Sequence, residues 1–463
     1  REMLVAVAED WPANMEPFDT DDRWTIVKNS STNGASRHIL ALYDHMRKES
    51  PSAPLFDRYS SEEVKEPEPC LPPNSGFSLR LGHASDTYPL TDAQRDAMTH
   101  QLVSGHGEIV CVNGPPGTGK TTLVLSVVAS HWVQAALDGN APPVIAAAST
   151  NNQAVTNIID SFAKDFSMGA GPFAGHWLPD VISFGAYFPS TDKEKQATGK
   201  YQTKAFFELV EEPGYVNRAR DAYLKAASAA FPKLKNPSVQ QVVDQLHTAI
   251  RSESDRLVAM EVAWADLQTA KRDLVSELGE DPEEAITARQ KAVNDIEARL
   301  SNFQTLQDQW ESFLAHESWI YTLFFWIPPI ARKRLLLAKG FLKQRWPGEF
   351  PPGPWAGVED FSAEIEDSID TLKPALKRHR EALQRAQQLM KDYREAMDRW
   401  TRVIEPIALG RPSETLSLAD CDSTADTVIR FQAFLYATHY WEGRWLMEME
   451  GLLPNLSDEK KKK

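Results

Sequence analysis

The sequence predicts an α/β protein in which a parallel sheet flanked by helices carries a large inserted all-α stalk, an antiparallel coiled coil. Two observations lead to this prediction. A glycine-rich phosphate-binding motif stands between an apolar run typical of a buried strand and an apolar run with a helical period. Farther along the chain, apolar residues recur at spacings of three and four over three long segments, which is the pattern of a coiled coil.

The phosphate-binding motif is GPPGTGKTT at residues 114–122. It satisfies G-x-x-x-x-G-K-[ST], in which backbone N–H groups surround phosphates and a helix N-terminus adds partial positive charge behind them. Lys120 is predicted to reach the β- and γ-phosphates and the Thr121 hydroxyl to hold Mg²⁺. The predicted nucleotide-contacting residues of the motif are Gly114, Gly117, Thr118, Gly119, Lys120, Thr121 and Thr122. We therefore expect the chain to bind a nucleoside triphosphate.

A glutamine upstream of this motif has two compatible interpretations. Thr91 and Gln94 have the spacing of a capping box at the start of a helix. The same glutamine side chain can pair with the N6 and N7 edge of adenine, and Tyr88 can stack on the base. We predict that Gln94 and Tyr88 contact the nucleotide base.

A second apolar run, residues 143–148, predicts another buried strand. Ser149, Thr150 and Asn151 follow it directly and precede a predicted helix. Small hydroxyl and amide side chains at a helix start suit a sugar–phosphate backbone, although they are also ordinary helix caps. These three residues are our candidate nucleic-acid contacts.

The order of these motifs, LTDAQ at residues 90–94, GPPGTGKTT at 114–122 and STNNQAV at 149–155, resembles the start of a superfamily 1 helicase of the Upf-like DNA/RNA group. The resemblance implies a RecA-like domain that uses ATP and Mg²⁺ and acts on single-stranded DNA or RNA. It implies adenine reading by Gln94, binding of phosphates and Mg²⁺ by Gly117, Gly119, Lys120 and Thr121 (the last two catalytic), and strand contacts by Ser149, Thr150 and Asn151.

The Walker B strand of that family, which ends in Asp-Glu, has no counterpart in the sequence. The Asp-Glu pair at Asp458 and Glu459 lies in a polar tail without an apolar strand before it. No residue is therefore assigned as the carboxylate that completes the Mg²⁺ site. Because the chain starts at Arg1 and these later motifs are missing, we interpret it as the N-terminal half of a longer helicase. Little turnover is expected from this chain alone.

Three long segments predict the stalk. Apolar residues recur through residues 257–278, 286–313 and 365–404. Asp281 and Pro282 are predicted to cap and begin the second helix, and Pro374 to kink the third. The sequence therefore predicts an arm of antiparallel helices.

An aromatic and basic stretch lies between the second and third segments. It runs WIYTLFFWIPPI from residue 319 and continues with Arg332, Lys333, Arg334, Lys339, Lys343 and Arg345. Three interpretations stay open: the small core of a stalk-tip domain, a surface for a protein partner or nucleic acid, and a segment that dips into a membrane surface. The first is favoured.

The motifs and the apolar patterns along the chain predict the following domain boundaries. Residues 1–80 are an N-terminal helical segment and linker, 81–200 the first part of the RecA-like ATP-binding domain, 201–405 the inserted stalk with its tip at about 316–358, and 406–463 a return helix that packs on the ATP-binding domain.

Composition argues against several functional classes. The net charge of −15 provides no general basic field for nucleic acid, so any such contact must be local. The cysteines Cys70, Cys111 and Cys421 are too far apart in sequence to indicate a disulfide framework or a metal cluster. They fit a reducing compartment, and we expect a cytoplasmic protein. No apolar run reaches the ~18 residues of a membrane span.

Other P-loop classes stay open as alternatives. A coiled-coil ATPase of the structural-maintenance type also joins a Walker A head to a coiled coil, but it gives Gln94 and Asn151 no role. An AAA-type remodelling ATPase shares GPPGTGKT, but it requires an apolar strand ending in two acids, which residues 176–180 do not supply. Either class would remodel a protein or nucleoprotein partner. A nucleotide-dependent binding module without turnover is a further reading.

Overall fold

The computed structural model describes residues 34–62, 70–72, 75–149, 152–168, 171–182, 185–189 and 193–460. The chain divides into two compact units, Arg1–Pro67 with Ser104–Ile109, and Glu68–Val103 with Val110–Lys463. In the first unit the described helices are α1 (Gly34–Glu49) and α2 (Pro54–Ser60).

The second unit contains the remaining described helices. They are α3 (Asp92–Val103), α4 (Lys120–Asp138), α5 (Asn152–Met168), α6 (Glu194–Ala197), α7 (Lys204–Val210), α8 (Pro213–Ala230), α9 (Val239–Leu278), α10 (Pro282–Ala315), α11 (Trp319–Leu323), α12 (Pro328–Arg345), α13 (Glu359–Ile404), α14 (Leu418–Ala425) and α15 (Phe431–Lys460). Short 3₁₀ turns occupy Phe77–Leu79, Gly171–Phe173 and Ser413–Thr415, and a π-helix, Asp426–Arg430, leads into α15.

The predicted RecA-like α/β fold is wrong for this structure. Among the described residues there is no strand, and β-type pairing is limited to two isolated bridges, Ala186 with Gln202 and Thr198 with Tyr201. Residues 110–112 and 143–148 run without regular secondary structure, and Val144 is 98% exposed. An apolar run becomes a strand only where a neighbour satisfies its backbone N–H and C=O groups. Neither run pairs with another described segment, so the described fold is mostly helical.

The three long helices predicted from the apolar pattern are present as α9, α10 and α13. The second and third pack together through Val293, Leu376 and Leu383, which form one buried cluster. As predicted, Asp281 caps α10 by accepting a hydrogen bond from the Glu284 N–H at 2.9 Å. Helix α13 continues across Pro374. The coiled-coil geometry and the domain boundaries at residues 200 and 405 stay predictions.

The helix that follows the phosphate-binding motif, α4, lies inside the largest hydrophobic core. Its residues Ala129 and Val133 share that core with Phe434 and Leu435 of α15, and all four are almost fully buried. Trp441 of α15 donates an indole hydrogen bond to a backbone carbonyl of α4 at 3.3 Å. The phosphate-binding loop therefore leads directly into helix α4, and packing against α15 holds α4 in position.

A glycine lets another segment cross α4 at close range. The N–H of Gly82 donates to Ser130 Oγ at 2.9 Å, and the same hydroxyl donates to the Gly82 carbonyl at 3.0 Å. A Cβ on Gly82 would lie 2.5 Å from the Ala129 carbonyl carbon. Only glycine permits this contact, which joins residues 80–85 to the middle of α4.

Among the described helices, none combines the length and apolar character that crossing a bilayer would require.

Candidate nucleotide-binding site

The phosphate-binding motif turns through two glycines with positive φ. Gly117 has φ of 84° and Gly119 has φ of 75°. Residues with a Cβ avoid this region, so both positions favour glycine. A Cβ on Gly119 would also collide with the side-chain amide of Gln94, whereas Gly117 faces open space. Gly119 is therefore constrained both by its backbone and by a neighbour.

Helix α4 begins at Lys120, immediately after this turn. Its N-cap is Gly119, which has no side chain to accept hydrogen bonds from the N–H groups of the first turn. These donors and the helix dipole favour an anion at this point. Lys120 and Thr121 are exposed beside them. The residues present therefore fit a phosphate chain and an accompanying Mg²⁺ ion.

Lys120 and Thr118 close the loop on itself in this structure. Lys120 Nζ donates to the carbonyl oxygens of Gly114 and Pro115, the second at 2.8 Å. Thr118 Oγ1 donates to the Pro115 carbonyl, also at 2.8 Å. Both acceptors of the ammonium group are neutral, and a phosphate oxygen would make a stronger, charge-assisted bond. Lys120 can therefore exchange these partners for an anion by rotating its side chain.

Gln94 connects helix α3 to the loop. Its Oε1 accepts from the Thr91 N–H at 2.8 Å and Thr91 Oγ1 accepts from the Gln94 N–H at 3.4 Å, so the predicted capping box is confirmed. Its Nε2 donates to the carbonyl oxygens of Thr118 and Gly119 at 3.0 and 2.9 Å. The sequence pattern did not indicate this contact with the loop. Adenine reading by Gln94 stays a prediction.

The other predicted contacts lie at different places. The Tyr88 side chain is 66% exposed, and its carbonyl oxygen accepts a hydrogen bond from His83 Nε2 at 2.9 Å. Ser149 is exposed at the end of an irregular segment, before α5. Thr150 and Asn151 lie outside the described residues. Base stacking by Tyr88 and strand contact by Ser149, Thr150 and Asn151 stay predictions.

A family model described as an AAA domain matches residues 89–402. The chain belongs to this family. This AAA domain is a domain of the Upf-like group of superfamily 1 helicases. The resemblance to a superfamily 1 helicase that the motifs indicated is therefore confirmed. No curated protein and no solved structure matches the chain.

The matched residues begin just before Gln94 and end within α13. This AAA domain is a P-loop NTPase of the helicase type, a class that uses a nucleotide and usually Mg²⁺.

A buried ionic network that the sequence analysis missed supports helix α3 of the AAA domain. Asp422 contacts Arg80 at 2.6 Å and Arg430 at 2.5 Å, and Asp426 contacts Arg95 at 3.1 Å and Arg430 at 2.6 Å. All five side chains are at least nine-tenths buried. The signal in the sequence was the spacing of Asp422, Asp426 and Arg430 at intervals of four.

The charges of this network are set by their neighbours. Burial opposes ionisation of Asp426, but Arg430, His83 and Arg95 outweigh it and lower the pKa of Asp426. Burial also opposes the charge of Arg430, but Asp422 and Asp426 outweigh it and raise the pKa of Arg430. These neighbours therefore favour the charged forms of Asp426 and Arg430.

The network also holds the backbone that leads to the candidate site. Asp426 Oδ2 accepts from the Leu90 N–H at 3.0 Å, and Arg430 Nε donates to the Arg80 carbonyl at 2.6 Å. Arg95, which follows Gln94 in the chain, donates to Asp426. Gln94 is thus carried on a helix whose next residue is fixed in the protein interior.

A second buried polar cluster surrounds Glu442 on α15. Its two carboxylate oxygens contact His176 Nδ1 at 2.8 Å and His439 Nδ1 at 2.9 Å, and the ring of His439 stacks on Trp177 with centroids 3.9 Å apart. Burial alone would raise the pKa of Glu442, but His439 and His176 outweigh it and lower the pKa to about 2. His439 is thus fully buried in the core. The described residues contain no group of three or more side chains arranged as metal ligands.

Proposed function

We propose that this chain is the ATP-binding part of a superfamily 1 helicase or translocase that acts on single-stranded DNA or RNA. The observation that carries the proposal is the turn at Gly117 and Gly119, which brings the N-terminus of α4 and the exposed Lys120 and Thr121 to one point. Membership of the AAA domain family supports the same function.

In this proposal the chain binds ATP through its loop. Backbone N–H groups of the loop and of the first turn of α4 bind the phosphates, and Lys120 turns from its carbonyl acceptors to the β- and γ-phosphates. The Thr121 hydroxyl binds Mg²⁺, which would offset negative charge on the phosphates. The remaining proposed phosphate contacts are Gly114, Gly117, Thr118, Gly119 and Thr122.

The base and the nucleic acid are proposed to have separate contact residues. Gln94 keeps the loop in shape and reads adenine, and Tyr88 stacks on the base. Ser149, Thr150 and Asn151 contact the backbone of a single strand. We propose a cytoplasmic location, which fits free cysteines at Cys70, Cys111 and Cys421.

The chain is proposed to hydrolyse ATP slowly by itself. Its Asp-Glu pair, Asp458 and Glu459, does not follow an apolar strand, so the carboxylate that orients the attacking water is not identified. Fast turnover by this chain alone would contradict this part of the proposal.

The first test is ATP binding by Lys120→Ala, with Lys225→Ala on the exposed face of α8 as the matched control. A hydrogen bond to a charged group contributes about 1.5–3 kcal/mol. Lys120→Ala should therefore weaken Mg²⁺–ATP binding roughly ten- to hundred-fold in a fluorescence titration, while the control keeps wild-type affinity. Equal ATP affinity of the two variants would contradict the proposal that the loop binds ATP.

A second test addresses the polymer. We expect single-stranded DNA or RNA to compete for one site with a labelled oligonucleotide, and ATP hydrolysis by the full-length protein to rise when that polymer is added. Indifference of hydrolysis to both polymers would favour the alternatives, a coiled-coil structural-maintenance ATPase or an AAA-type ATPase that remodels a protein partner.

A further inference from the structure

Large apolar side chains of α11, α12 and the turn between them are exposed to water. Trp326 is 64% exposed and Leu336 is 71% exposed. The exposed large apolar residues of this region number seven: Trp319, Ile320, Leu323, Phe325, Trp326, Leu336 and Leu337. We call this set the tip patch. Scattered single exposed hydrophobic residues are normal, but seven within nineteen consecutive residues indicate an interaction surface.

These side chains are not the core that the sequence analysis favoured for this stretch. The core here is built mainly by neighbouring helices: Trp310 of α10 and Phe361 of α13 enclose Ala338 and Leu342 of α12. Helix α12 thus buries the side that carries Ala338 and Leu342, whereas Leu336 and Leu337 are exposed to water. The tip patch lies beside a packed core instead of forming it.

The patch is held in place by an ion pair. Arg334 Nε donates to both carboxylate oxygens of Glu317, at 3.0 and 2.9 Å, and Arg334 NH2 contacts the same group at 2.7 Å. Hydrogen bonding to Glu317 is the largest cause that raises the pKa of Arg334. The start of α12 is therefore tied to the residues that follow α10.

The charge of the region is opposite to that of the whole chain. Residues 318–348 contain six basic residues and no acidic residue, whereas the net charge of the chain is −15. Arg332, Lys333, Lys339 and Lys343 are exposed. A local basic surface in an acidic protein selects an anionic partner.

We propose that the tip patch docks on an anionic lipid surface without crossing it. Exposed tryptophan and phenylalanine with lysine and arginine are the combination that binds the headgroup and acyl boundary of a bilayer. Long basic side chains can place their charges among the headgroups while their stems cover apolar surface.

The aliphatic members of the patch favour lipid over nucleic acid. Bases stack on flat aromatic rings, and Leu323, Leu336 and Leu337 offer them no such ring. In contrast, acyl chains accept aliphatic and aromatic side chains alike. The surface is independent of the loop at Gly117 and Gly119, so the inference goes beyond the proposed ATP-dependent function.

The test is co-sedimentation of the full chain with vesicles of phosphatidylcholine alone or of phosphatidylcholine with phosphatidylserine. One variant removes charge, Lys333→Ala with Lys339→Ala, and its matched control is Lys271→Ala with Lys377→Ala on exposed positions of α9 and α13. Each cation near an anionic membrane contributes about 1 kcal/mol, or roughly five-fold in binding. The tip variant should therefore bind roughly 25-fold more weakly to the anionic vesicles, and the control should bind like the wild type.

A second variant removes apolar area, Phe325→Ser with Trp326→Ser, and its control is Val258→Ser with Val262→Ser on the exposed surface of α9. Loss of vesicle binding in the tip variant alone supports the proposal. Wild-type binding by both tip variants, or no binding of the wild type to anionic vesicles, would overturn it. It would equally be overturned if the tip variants lost oligonucleotide binding while vesicles were never bound. ATP affinity should be unchanged in every tip variant, which separates this surface from the proposed ATP site.

Discussion

The buried ionic network predicts a large loss of stability from one isosteric substitution, Asp426→Asn. The Asp426 side chain has no exposed surface and accepts hydrogen bonds from Arg430 at 2.6 Å, Arg95 at 3.1 Å and the Leu90 N–H at 3.0 Å. Asparagine keeps the shape but removes the negative charge, and its NH₂ group would face donors. Arg80 and Arg430 would then depend on Asp422, and Arg95 would keep Asp422 at 3.6 Å and the exposed Asp92 at 2.9 Å.

The size of the loss follows from the burial of these groups. Removing one partner of a buried ion pair leaves an uncompensated charge and costs about 3–5 kcal/mol. Total stabilities of folded domains are about 5–15 kcal/mol, so the loss is a large fraction of the whole. In contrast, Asp370→Asn removes an exposed pair with Lys373 on α13 and should cost at most about 1 kcal/mol.

The assay is urea unfolding of the wild type, Asp426→Asn and Asp370→Asn, followed by circular dichroism. The denaturation midpoint of Asp426→Asn should fall far below the other two. A double variant with Arg95→Gln restores the charge balance, and its loss should be smaller than the sum of the single losses by about 0.5–3 kcal/mol. If Asp426→Asn unfolded at the same urea concentration as Asp370→Asn, the reasoning would be refuted.

Three further outcomes follow from the geometry. Gly119→Ala should weaken ATP binding, because its φ of 75° strains a residue with a Cβ and that Cβ would displace the Gln94 amide from the loop, whereas Gly139→Ala, with φ of 65° and open space, should keep ATP affinity in the same titration. Gln94→Ala removes both hydrogen bonds to the loop and the proposed adenine contact, so it should weaken GTP binding and weaken ATP binding more; equal losses for the two nucleotides would argue against adenine reading. Since the folded pKa of Glu442, about 2, lies below the ordinary value of 4.5, its charge stabilises the fold above about pH 4.5 and this is lost as the pH falls toward 2. Glu442→Gln should therefore lower stability at neutral pH and flatten the acid limb of a pH series of urea midpoints, and an unchanged acid limb would argue against it.

The features that the sequence predicted correctly are those that local residues determine. The turn at Gly117 and Gly119 needs only the conformational freedom of glycine, and the long helices follow from an apolar period within each segment. The prediction of a sheet was wrong because a strand depends on hydrogen bonds to a neighbouring strand. The run at residues 143–148 pairs with none of the described segments. The ionic network was missed because its partners, such as Arg80 and Asp422, are 342 positions apart in the chain.

The distant network and the loop meet on helix α3, where Gln94 and Arg95 are neighbours. Arg95 is held by Asp426, while Gln94 holds the carbonyl oxygens of Thr118 and Gly119. Because successive helical residues are about 100° apart around the axis, one can face the interior and the other the loop. Loss of the contact between Arg95 and Asp426 should therefore weaken the hydrogen bonds from Gln94 to the loop. At a urea concentration where Asp426→Asn is still folded, its ATP affinity should be lower than that of Asp370→Asn. Equal affinities would mean that Gln94 keeps its position without the network.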